Sequence, residues 1–366
     1  MKPTSINRRD FLRTSAMAAA GISLPSLIPA HVLGGHNRPG ANDTIRIGVI
    51  GCGGRAHGVV GEGRDVPGFR VAAVCDCFLP RAEAFAKELG GSTKPYADFR
   101  QMIDREKLDA VMIETTTHAR AWIAVLAMQA GMDAYIEKPM CLTVAEGRQM
   151  VRAARKYNRV TQVGTQQRSM PINNFASDLV KNGALGKVLR IIAPNFVGPE
   201  KWTNQPAEPM PSGGSHWWDV WTNQAVLRPY HKLLHYGWDR WSDYDGGGRG
   251  FGVTGWGAHS YDQVNRALGA DDTGPTEIWL EEPVAVRDTG RFAAKIRSPG
   301  LVAEEDTGKE YHGMAKITGP RAKVSMQFAS GAVLQLHLDG DRGPGLGAIF
   351  VCERGKVEIG RNKIAS

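Results

Sequence analysis

The sequence has few cysteines, no long uninterrupted apolar run and no concentration of charge of one sign. Its 366 residues contain five cysteines, an odd number and too few for a disulfide framework in a chain of this length. None of them has zinc-finger spacing and the scattered histidines form no ligand pattern, so no metal site is predicted. We interpret all five as small buried apolar side chains: Cys52, Cys75, Cys77, Cys141 and Cys352.

Charge and hydropathy exclude two further classes of protein. Part of the net charge of +8 lies in the first thirty residues, and elsewhere the charges are mixed in sign. Without a basic stripe, nucleic acid is not expected as a partner. The apolar stretch over residues 16–28 is short and interrupted by Gly21 and Pro25, so no stable membrane span is predicted. The length and the 42% hydrophobic content are typical of a globular chain with two domains.

The first thirty residues have the pattern of an export signal. The stretch Asn7-Arg8-Arg9-Asp10-Phe11-Leu12-Arg13 resembles the bacterial twin-arginine signal, and the apolar stretch follows it directly. We therefore predict a signal peptide over residues 1–30 and a Gly/Pro/Asn linker over residues 31–43. The resemblance implies export to the periplasm in the folded state, with any cofactor already bound.

A glycine-rich turn follows the first predicted strand, residues 45–50. Residues 51–56 fit the Gly-x-Gly-x-x-Gly/Ala fingerprint, in which glycines allow a tight turn and a close approach of the backbone to a pyrophosphate. A second strand over 69–75 ends at Asp76, near the spacing expected for an acid that binds ribose hydroxyls. This acid favours NAD, although Arg81 keeps NADP possible.

Helices and strands continue to alternate after this turn. We predict a helix from Leu79, strands over 108–115, 133–137 and 160–165, and a helix over 117–130. Thr143 and Glu146 form a capping box for a further helix. The alternation implies a doubly wound parallel sheet, a Rossmann domain over residues 44–166. Apolar, β-rich runs then occur at 188–197, 277–285, 314–318, 322–328, 333–338 and 349–359.

Several motifs in this order resemble the glucose–fructose oxidoreductase / inositol dehydrogenase (Gfo/Idh/MocA) family. Besides the glycine loop they are Thr116-Thr117-His118, Glu137-Lys138-Pro139 and the stretch 164–169. The resemblance runs from about residue 44 to the end. It implies a second α/β domain, residues 167–366, with an open, mostly antiparallel sheet that binds substrate and forms homodimers or homotetramers. It also implies a cofactor site made of Gly51, Cys52, Gly53, Gly54, Arg55, Ala56, Asp76, Thr116, His118, Glu137, Lys138 and Gln166.

The resemblance assigns two catalytic residues but leaves their relay incomplete. Lys138 would point at the nicotinamide and the reacting hydroxyl, where a desolvated lysine can shuttle a proton. His259 matches the catalytic histidine of the family. Gly255 stands where the family usually has an aspartate, so no carboxylate is supplied from that position. His118 is interpreted either as lining the nicotinamide pocket or as an ordinary loop histidine.

Three functions remain open at this point. The first is an NAD(P)-dependent dehydrogenase of a sugar or polyol, in which Lys138 and His259 are assisted by groups such as Tyr244 or His216. The second is a glycosidase that uses tightly bound NAD, oxidising and then re-reducing the same sugar. The third is a non-catalytic sugar-binding protein. Export favours the second function over the first, because free NAD is scarce outside the cytoplasm.

Tryptophans are concentrated in one part of the chain, with seven of the nine between residues 202 and 256. They are interpreted either as core packing under long loops or as a pocket wall on which sugars stack. The ending at Ile364-Ala365-Ser366 is abrupt for the family, so we expect the chain to be a fragment. The expected substrate residues are His216, Trp218, Tyr244 and Trp256.

Overall fold

The computed structural model describes residues 40, 43–90, 92–203, 205–211, 216–247, 251–286, 289–292, 315–317, 320–337 and 346–366. The predicted signal peptide and nearly all of the predicted linker lie outside these residues. One compact unit includes residues 43–45 and 63–70, where the Ile45 N–H donates to the Gly68 carbonyl at 2.9 Å. The functional residues discussed below belong to the other unit, residues 46–62 and 71–366.

The first sheet has six parallel strands. They are β1 (Ile45–Ile50), β2 (Phe69–Cys75), β3 (Lys94–Tyr96), β4 (Ala110–Ile113), β5 (Asp133–Glu137) and β6 (Thr161–Gly164). Their order is β3-β2-β1-β4-β5-β6, so the strand order reverses between β1 and β4. The predicted doubly wound parallel sheet is confirmed, and ligands of such sheets bind at this reversal, outside the carboxyl ends of the strands.

Five helices connect these strands, in the positions expected for a sheet whose apolar strands are covered on both faces. They are α1 (Gly54–Gly63), α2 (Leu79–Leu89), α3 (Phe99–Arg105), α4 (Thr117–Gln129) and α5 (Val144–Tyr157). The capping box of α5 is confirmed, because the Glu146 N–H donates to Thr143 Oγ1 at 3.2 Å and the Thr143 N–H donates to Glu146 Oε2 at 3.1 Å. The short elements β3 and α3 were not predicted.

The second part of the chain builds a mixed sheet. Its strands are β7 (Val188–Ala193), β8 (Glu277–Val286), β11 (Pro320–Gln327), β12 (Val333–Leu336), β13 (Ala348–Cys352), β14 (Gly355–Gly360) and β15 (Lys363–Ala365). The order is β15-β14-β13-β7-β12-β11-β8, and every pair is antiparallel except β7 with β12. A separate antiparallel pair joins β9 (Thr289–Phe292) to β10 (Ala315–Ile317). The predicted open, mostly antiparallel sheet is confirmed.

One of the apolar, β-rich runs contains two strands. The run 349–359 is not a single strand but the hairpin of β13 and β14, because the polar residues Glu353 and Arg354 interrupt the apolar pattern before Gly355. Next along the chain, β14 and β15 form a tight hairpin whose turn is Arg361-Asn362, with Asn362 in the left-handed conformation at φ 52°. This second turn carries a side chain of the candidate site.

Helices of the second part position the site. They are α6 (Pro171–Lys181), α7 (His216–Thr222), α8 (Lys232–His235) and α9 (Gly257–Leu268), with 3₁₀ turns at Gln166–Ser169 and Trp238–Arg240. Asn173 of α6 is fully buried, and its Nδ2 lies 2.9 Å from Gln263 Oε1 of α9 and 3.0 Å from the Gly360 carbonyl. Its Oδ1 accepts from the Asn362 N–H at 2.9 Å. Asn173 thus holds the β14–β15 turn against α9.

Candidate active site

A cleft of about 520 Å³ lies at the carboxyl ends of the parallel strands. It extends from the end of β2 across the glycine loop after β1 to the ends of β4 and β5, which is where a dinucleotide binds in a doubly wound sheet. The carboxyl-terminal ends of α7 and α8, with the residues just after them, close its other side. The polar part of its wall includes Asp76, Arg81, Arg55, Glu114, Thr115, Thr116, Arg120 and Glu137.

The glycine loop fits a pyrophosphate. Gly51 has φ 91°, and a Cβ there would lie 2.8 Å from the backbone carbonyl carbon of Glu114, so a side chain is excluded by both conformation and space. A Cβ added at Gly53 or Gly54 would meet nothing within 4 Å, because both face the cleft at the start of α1. The backbone is therefore open to a phosphate group at a helix N-terminus. In this respect the residues present fit the dinucleotide.

Asp76 lies at the end of β2, where a ribose-binding acid is expected. It lines the cleft, and its Oδ2 accepts from the Cys52 N–H of the glycine loop at 3.0 Å. Its Oδ1 accepts from the Phe78 N–H at 3.0 Å, and Arg81 Nη1 lies 3.2 Å from Oδ2. The acid that would repel an additional ribose phosphate is thus paired with a cation that would attract it.

Lys138 follows β5 and contacts Gly255, where the resemblance led us to expect an aspartate. Its Nζ donates to the backbone carbonyl of Gly255 at 2.7 Å. Burial lowers the pKa of Lys138 to about 8, with Arg120 and Arg361 acting in the same direction and Glu137 and Asp245 against it. Gly255 therefore offers Lys138 a neutral oxygen in place of a carboxylate.

A buried carboxylate nevertheless lies close to this contact. Asp245 is only 1% exposed, and its Oδ1 accepts from the hydroxyl of Thr254 at 2.5 Å. Its Oδ2 accepts from the hydroxyl of Thr117 at the start of α4, at 3.1 Å. Burial raises the pKa of Asp245, while the two hydroxyls, Arg120 and Lys138 favour its ionised form. Sequence reasoning missed this residue, although its place just before a glycine run was visible.

His259 is buried near the start of α9 and is surrounded by cations. Its Nε2 lies 2.8 Å from Nη2 of Arg361, and because an arginine only donates, Nε2 is the acceptor and the proton is on Nδ1. Burial, together with Lys138, Arg361 and Arg55, lowers the pKa of His259 to about 2. The histidine is thus neutral at all physiological pH values. No sequence pattern pointed to Arg361, which lies in the β14–β15 turn.

Glu137 ends β5 and accepts from Arg55 Nε through Oε2 at 3.2 Å. Thr116 caps the N-terminus of α4 and lines the cleft. Gln166 begins the 3₁₀ turn after β6, and its Oε1 has no hydrogen-bond partner among the residues that the structure describes. The predicted cofactor residues that line the cleft are Gly51, Gly53, Gly54, Arg55, Asp76, Thr116 and Glu137. Cys52 and Ala56 are buried in the core.

His118 lies behind the cleft wall, not in it. It is on α4 and 1% exposed, its Nε2 is 3.0 Å from the Trp221 carbonyl, and its ring is 4.8 Å from that of Tyr244. Burial lowers its pKa to about 4. Tyr244 itself is fully buried. His118 and Tyr244 therefore pack behind the residues that line the cleft.

The tryptophans mainly form a core. Trp218 stacks on Trp221 with ring centroids 4.7 Å apart and donates from Nε1 to the Arg228 carbonyl at 2.7 Å. Within the described ranges, Trp221 and Trp238 also line the cleft. His216 is exposed as the first residue of α7, and Trp256 is half-buried just before α9. The buried cluster consists of Trp217, Trp218, Trp221, Tyr230, Leu234, Trp241 and Tyr244.

Among the residues that the structure describes, the other chemistry-bearing groups form no second site. All five cysteines are free, and burial raises the pKa of each of their thiols. Over the described ranges, no three histidine, cysteine or acidic side chains are placed to hold a metal ion together. No helix in that part of the chain has the length and apolar character needed to cross a membrane.

Comparison with known proteins identifies the two halves separately. Residues 45–165 match the profile described as oxidoreductase family, NAD-binding Rossmann fold, and residues 170–335 match its C-terminal alpha/beta domain. Residues 5–25 match the twin-arginine translocation pathway signal sequence, which indicates export by that pathway.

Individual relatives are more distant. The chain is 27% identical over 258 residues to a glycosyl hydrolase family 109 protein of Shewanella pealeana, covering 62% of this chain and 54% of that protein. It is 33% identical over 138 residues to a D-apiose dehydrogenase of Paraburkholderia graminis, covering 38% and 36% respectively. It thus spans about half or less of these curated relatives. The WlbA dehydrogenase of Bordetella pertussis, solved with NADH and UDP-GlcNAcA, shares the fold at a TM-score of 0.56 and 16% identity, covering 88% of this chain and 81% of that one.

Proposed function

Because the chain belongs to the Gfo/Idh/MocA oxidoreductase family, we propose that it transfers hydride between a nicotinamide cofactor and a hydroxyl-bearing carbon of a sugar, polyol or glycoside. The observation that carries this proposal is Lys138, a lysine of lowered pKa that follows the strand ending in Glu137 at the cleft. When bound, NAD would be held by the glycine loop and Asp76 and would supply the hydride acceptor. The site then requires a group that takes the hydroxyl proton.

Lys138 is the base in this proposal. With a pKa of about 8, an appreciable fraction is neutral near physiological pH, and its Nζ can exchange the Gly255 carbonyl for a substrate hydroxyl. Asp245 accepts from the hydroxyl of Thr254 and so fixes the backbone next to Gly255. Its charge also favours the ammonium form of Lys138 that proton transfer produces. His259 orients substrate instead of accepting the proton, because its Nε2 is engaged by Arg361.

A second candidate function is glycoside cleavage with tightly bound, recycled NAD. It is favoured by the similarity to a protein named as glycosyl hydrolase family 109 and by the match to an export signal. Outside the cytoplasm free NAD is scarce, whereas a cofactor carried out by the folded chain is retained.

We also propose a periplasmic location, a homodimer or homotetramer, and division of the chain into a cofactor domain over 44–166 and a substrate domain over 167–366.

One preparation tests these proposals. The protein is purified without added nucleotide and denatured, and released small molecules are identified by mass spectrometry. Near-stoichiometric NAD(H) supports the recycled cofactor and directs assays to aryl glycosides, while an empty cleft that binds added NAD directs them to the oxidation of a panel of sugars and polyols. Binding of sugars without turnover of any of them would refute both enzymatic functions.

The role of Lys138 is tested by Lys138→Ala, with the exposed Lys201→Ala as the matched control. Loss of a general base lowers rates by about 10²- to 10⁴-fold, while nucleotide binding, measured by fluorescence titration, should persist. Full activity of Lys138→Ala would refute the assignment of the base.

A further inference from the structure

Glu114 is a buried carboxylate that the proposed reaction does not use. It directly follows β4 and is 8% exposed, and neither of its carboxylate oxygens has a hydrogen-bond partner among the residues that the structure describes. Groups of this kind are costly to bury, since an unpaired carboxylate loses its hydration without compensation. It nevertheless forms part of the cleft wall. A buried acid that is unsatisfied by the protein and lies at a ligand site points to a partner within the ligand.

The position of Glu114 identifies which half of the ligand it faces. Its N–H donates to the Ile50 carbonyl at 2.8 Å, and its backbone abuts Gly51 at the start of the glycine loop. The loop receives the pyrophosphate, and Asp76 at the end of β2 receives the ribose on the adenine side. The other half of the dinucleotide therefore extends over the ends of β4 and β5. Glu114 and Glu137 lie on this side of the cleft.

Four charged or titratable groups surround this carboxylate. Glu137 and Tyr135 lie on β5, Arg55 on α1 and Arg120 on α4. Arg55 is engaged by Glu137 at 3.2 Å, and Arg120 donates to the Thr115 carbonyl at 2.7 and 3.0 Å. Burial, and then the repulsion of Glu137, raise the pKa of Glu114 to about 7 against the opposing effect of the two arginines. Arg55 and Arg120 therefore act on Glu114 through their charge, while their hydrogen bonds go to Glu137 and to the Thr115 carbonyl.

The nicotinamide ring carries a positive charge when the cofactor is oxidised and none when it is reduced. A carboxylate facing that half of the cleft discriminates between the two forms, because it attracts only the first. We propose that Glu114 is the residue that makes this cleft prefer oxidised over reduced cofactor, and that the preference exists only while Glu114 is ionised. The inference requires nucleotide binding, and it is independent of any substrate.

The experiment measures dissociation constants of NAD⁺ and NADH on the full chain, freed of nucleotide, between pH 5.5 and pH 8.5. In the wild type, the preference for NAD⁺ over NADH should grow by roughly tenfold or more across this range, since binding of a cation displaces the proton of Glu114. In Glu114→Gln the change of this ratio between pH 5.5 and 7 should disappear, which leaves only the change near pH 8 that the titration of Lys138 contributes. Glu88→Gln, an exposed acid of α2, is the matched control and should behave as the wild type.

The outcomes separate this inference from the cofactor assignment. A wild-type ratio that is constant between pH 5.5 and 7, or a Glu114→Gln ratio that changes as much as the wild-type ratio over this interval, would overturn the role of Glu114 alone. A wild-type chain that binds neither form at any pH would overturn the cofactor assignment as well. Thermal unfolding without cofactor provides a readout of folding: Glu114→Gln should gain stability relative to wild type as the pH rises from 4.5 to about 7, the window of the raised pKa.

Discussion

Replacement of Lys138 by methionine should stabilise the protein at neutral pH and destabilise it slightly above pH 10.5, where the lysine is neutral in both states. The pKa of Lys138 is lowered from 10.5 to about 8, and each unit corresponds to about 1.4 kcal/mol. Below pH 8 the native state therefore holds the ammonium at a cost of roughly 3 kcal/mol. Methionine fills a similar volume without charge but loses the hydrogen bond to Gly255, worth about 1 kcal/mol. The expected net gain in unfolding free energy is roughly 2 kcal/mol at pH 7.

The sign of the pH dependence follows from the direction of the shift. Between pH 8 and 10.5 the unfolded wild-type chain binds more protons at this lysine than the folded chain does, so wild-type stability rises with pH in this window. The advantage of Lys138→Met should therefore vanish by about pH 10.

Urea unfolding followed by circular dichroism at pH 7, 8.5 and 10 measures the effect, with the exposed Lys201→Met as control. A difference between Lys138→Met and wild type that stays constant over this range would show that Lys138 titrates normally, and the proposed base would lose its physical foundation.

Two further substitutions test nucleotide binding in the cleft and the lowered pKa of His259. Gly53→Val should weaken NAD binding by at least about tenfold, because the side chain enters the space reserved for a pyrophosphate, and unfolding should not change because that space is free of protein atoms. Unchanged titration with NAD would contradict the fingerprint. For His259, whose pKa is lowered from 6.5 to about 2, wild-type stability falls as the pH drops below 6.5. His259→Asn should therefore lose roughly 2 kcal/mol less than wild type between pH 7 and pH 5; an equal loss in His259→Asn and in wild type would refute the lowered pKa.

Features set by neighbouring residues could be predicted from the sequence. The glycine turn after β1 and the capping box of Thr143 and Glu146 each depend on residues only a few positions apart, so the pattern specifies the local conformation. The run 349–359 was recognised as β-rich but not divided into two strands, because apolar residues alternate on both sides of Glu353. The sequence did not decide whether the tryptophans pack in a core or line a pocket, since an aromatic composition is compatible with both.

The chemistry of the site depends on contacts that no local pattern reveals. Arg361 acts on His259 across 102 residues, and Asp245 meets Thr117 across 128. Glu114 stands out only because no residue in the described part of the chain donates to its carboxylate, and this is a property of packing. The resemblance identified Lys138 and the absence of an acid at position 255, but not the carboxylate that lies nearby.

The contact between Arg361 and His259 also has a consequence for the order in which the protein matures. Every side chain that lines the nucleotide cleft precedes residue 239, so the ribosome has delivered the complete cofactor site before β14 and β15 are synthesised. Chains are made from the N-terminus, and early segments fold as units. Nucleotide can therefore be captured while His259 still lacks its arginine, and the β14–β15 hairpin brings Arg361 to His259 only afterwards. The cofactor site and the Arg361–His259 contact therefore form one after the other during synthesis.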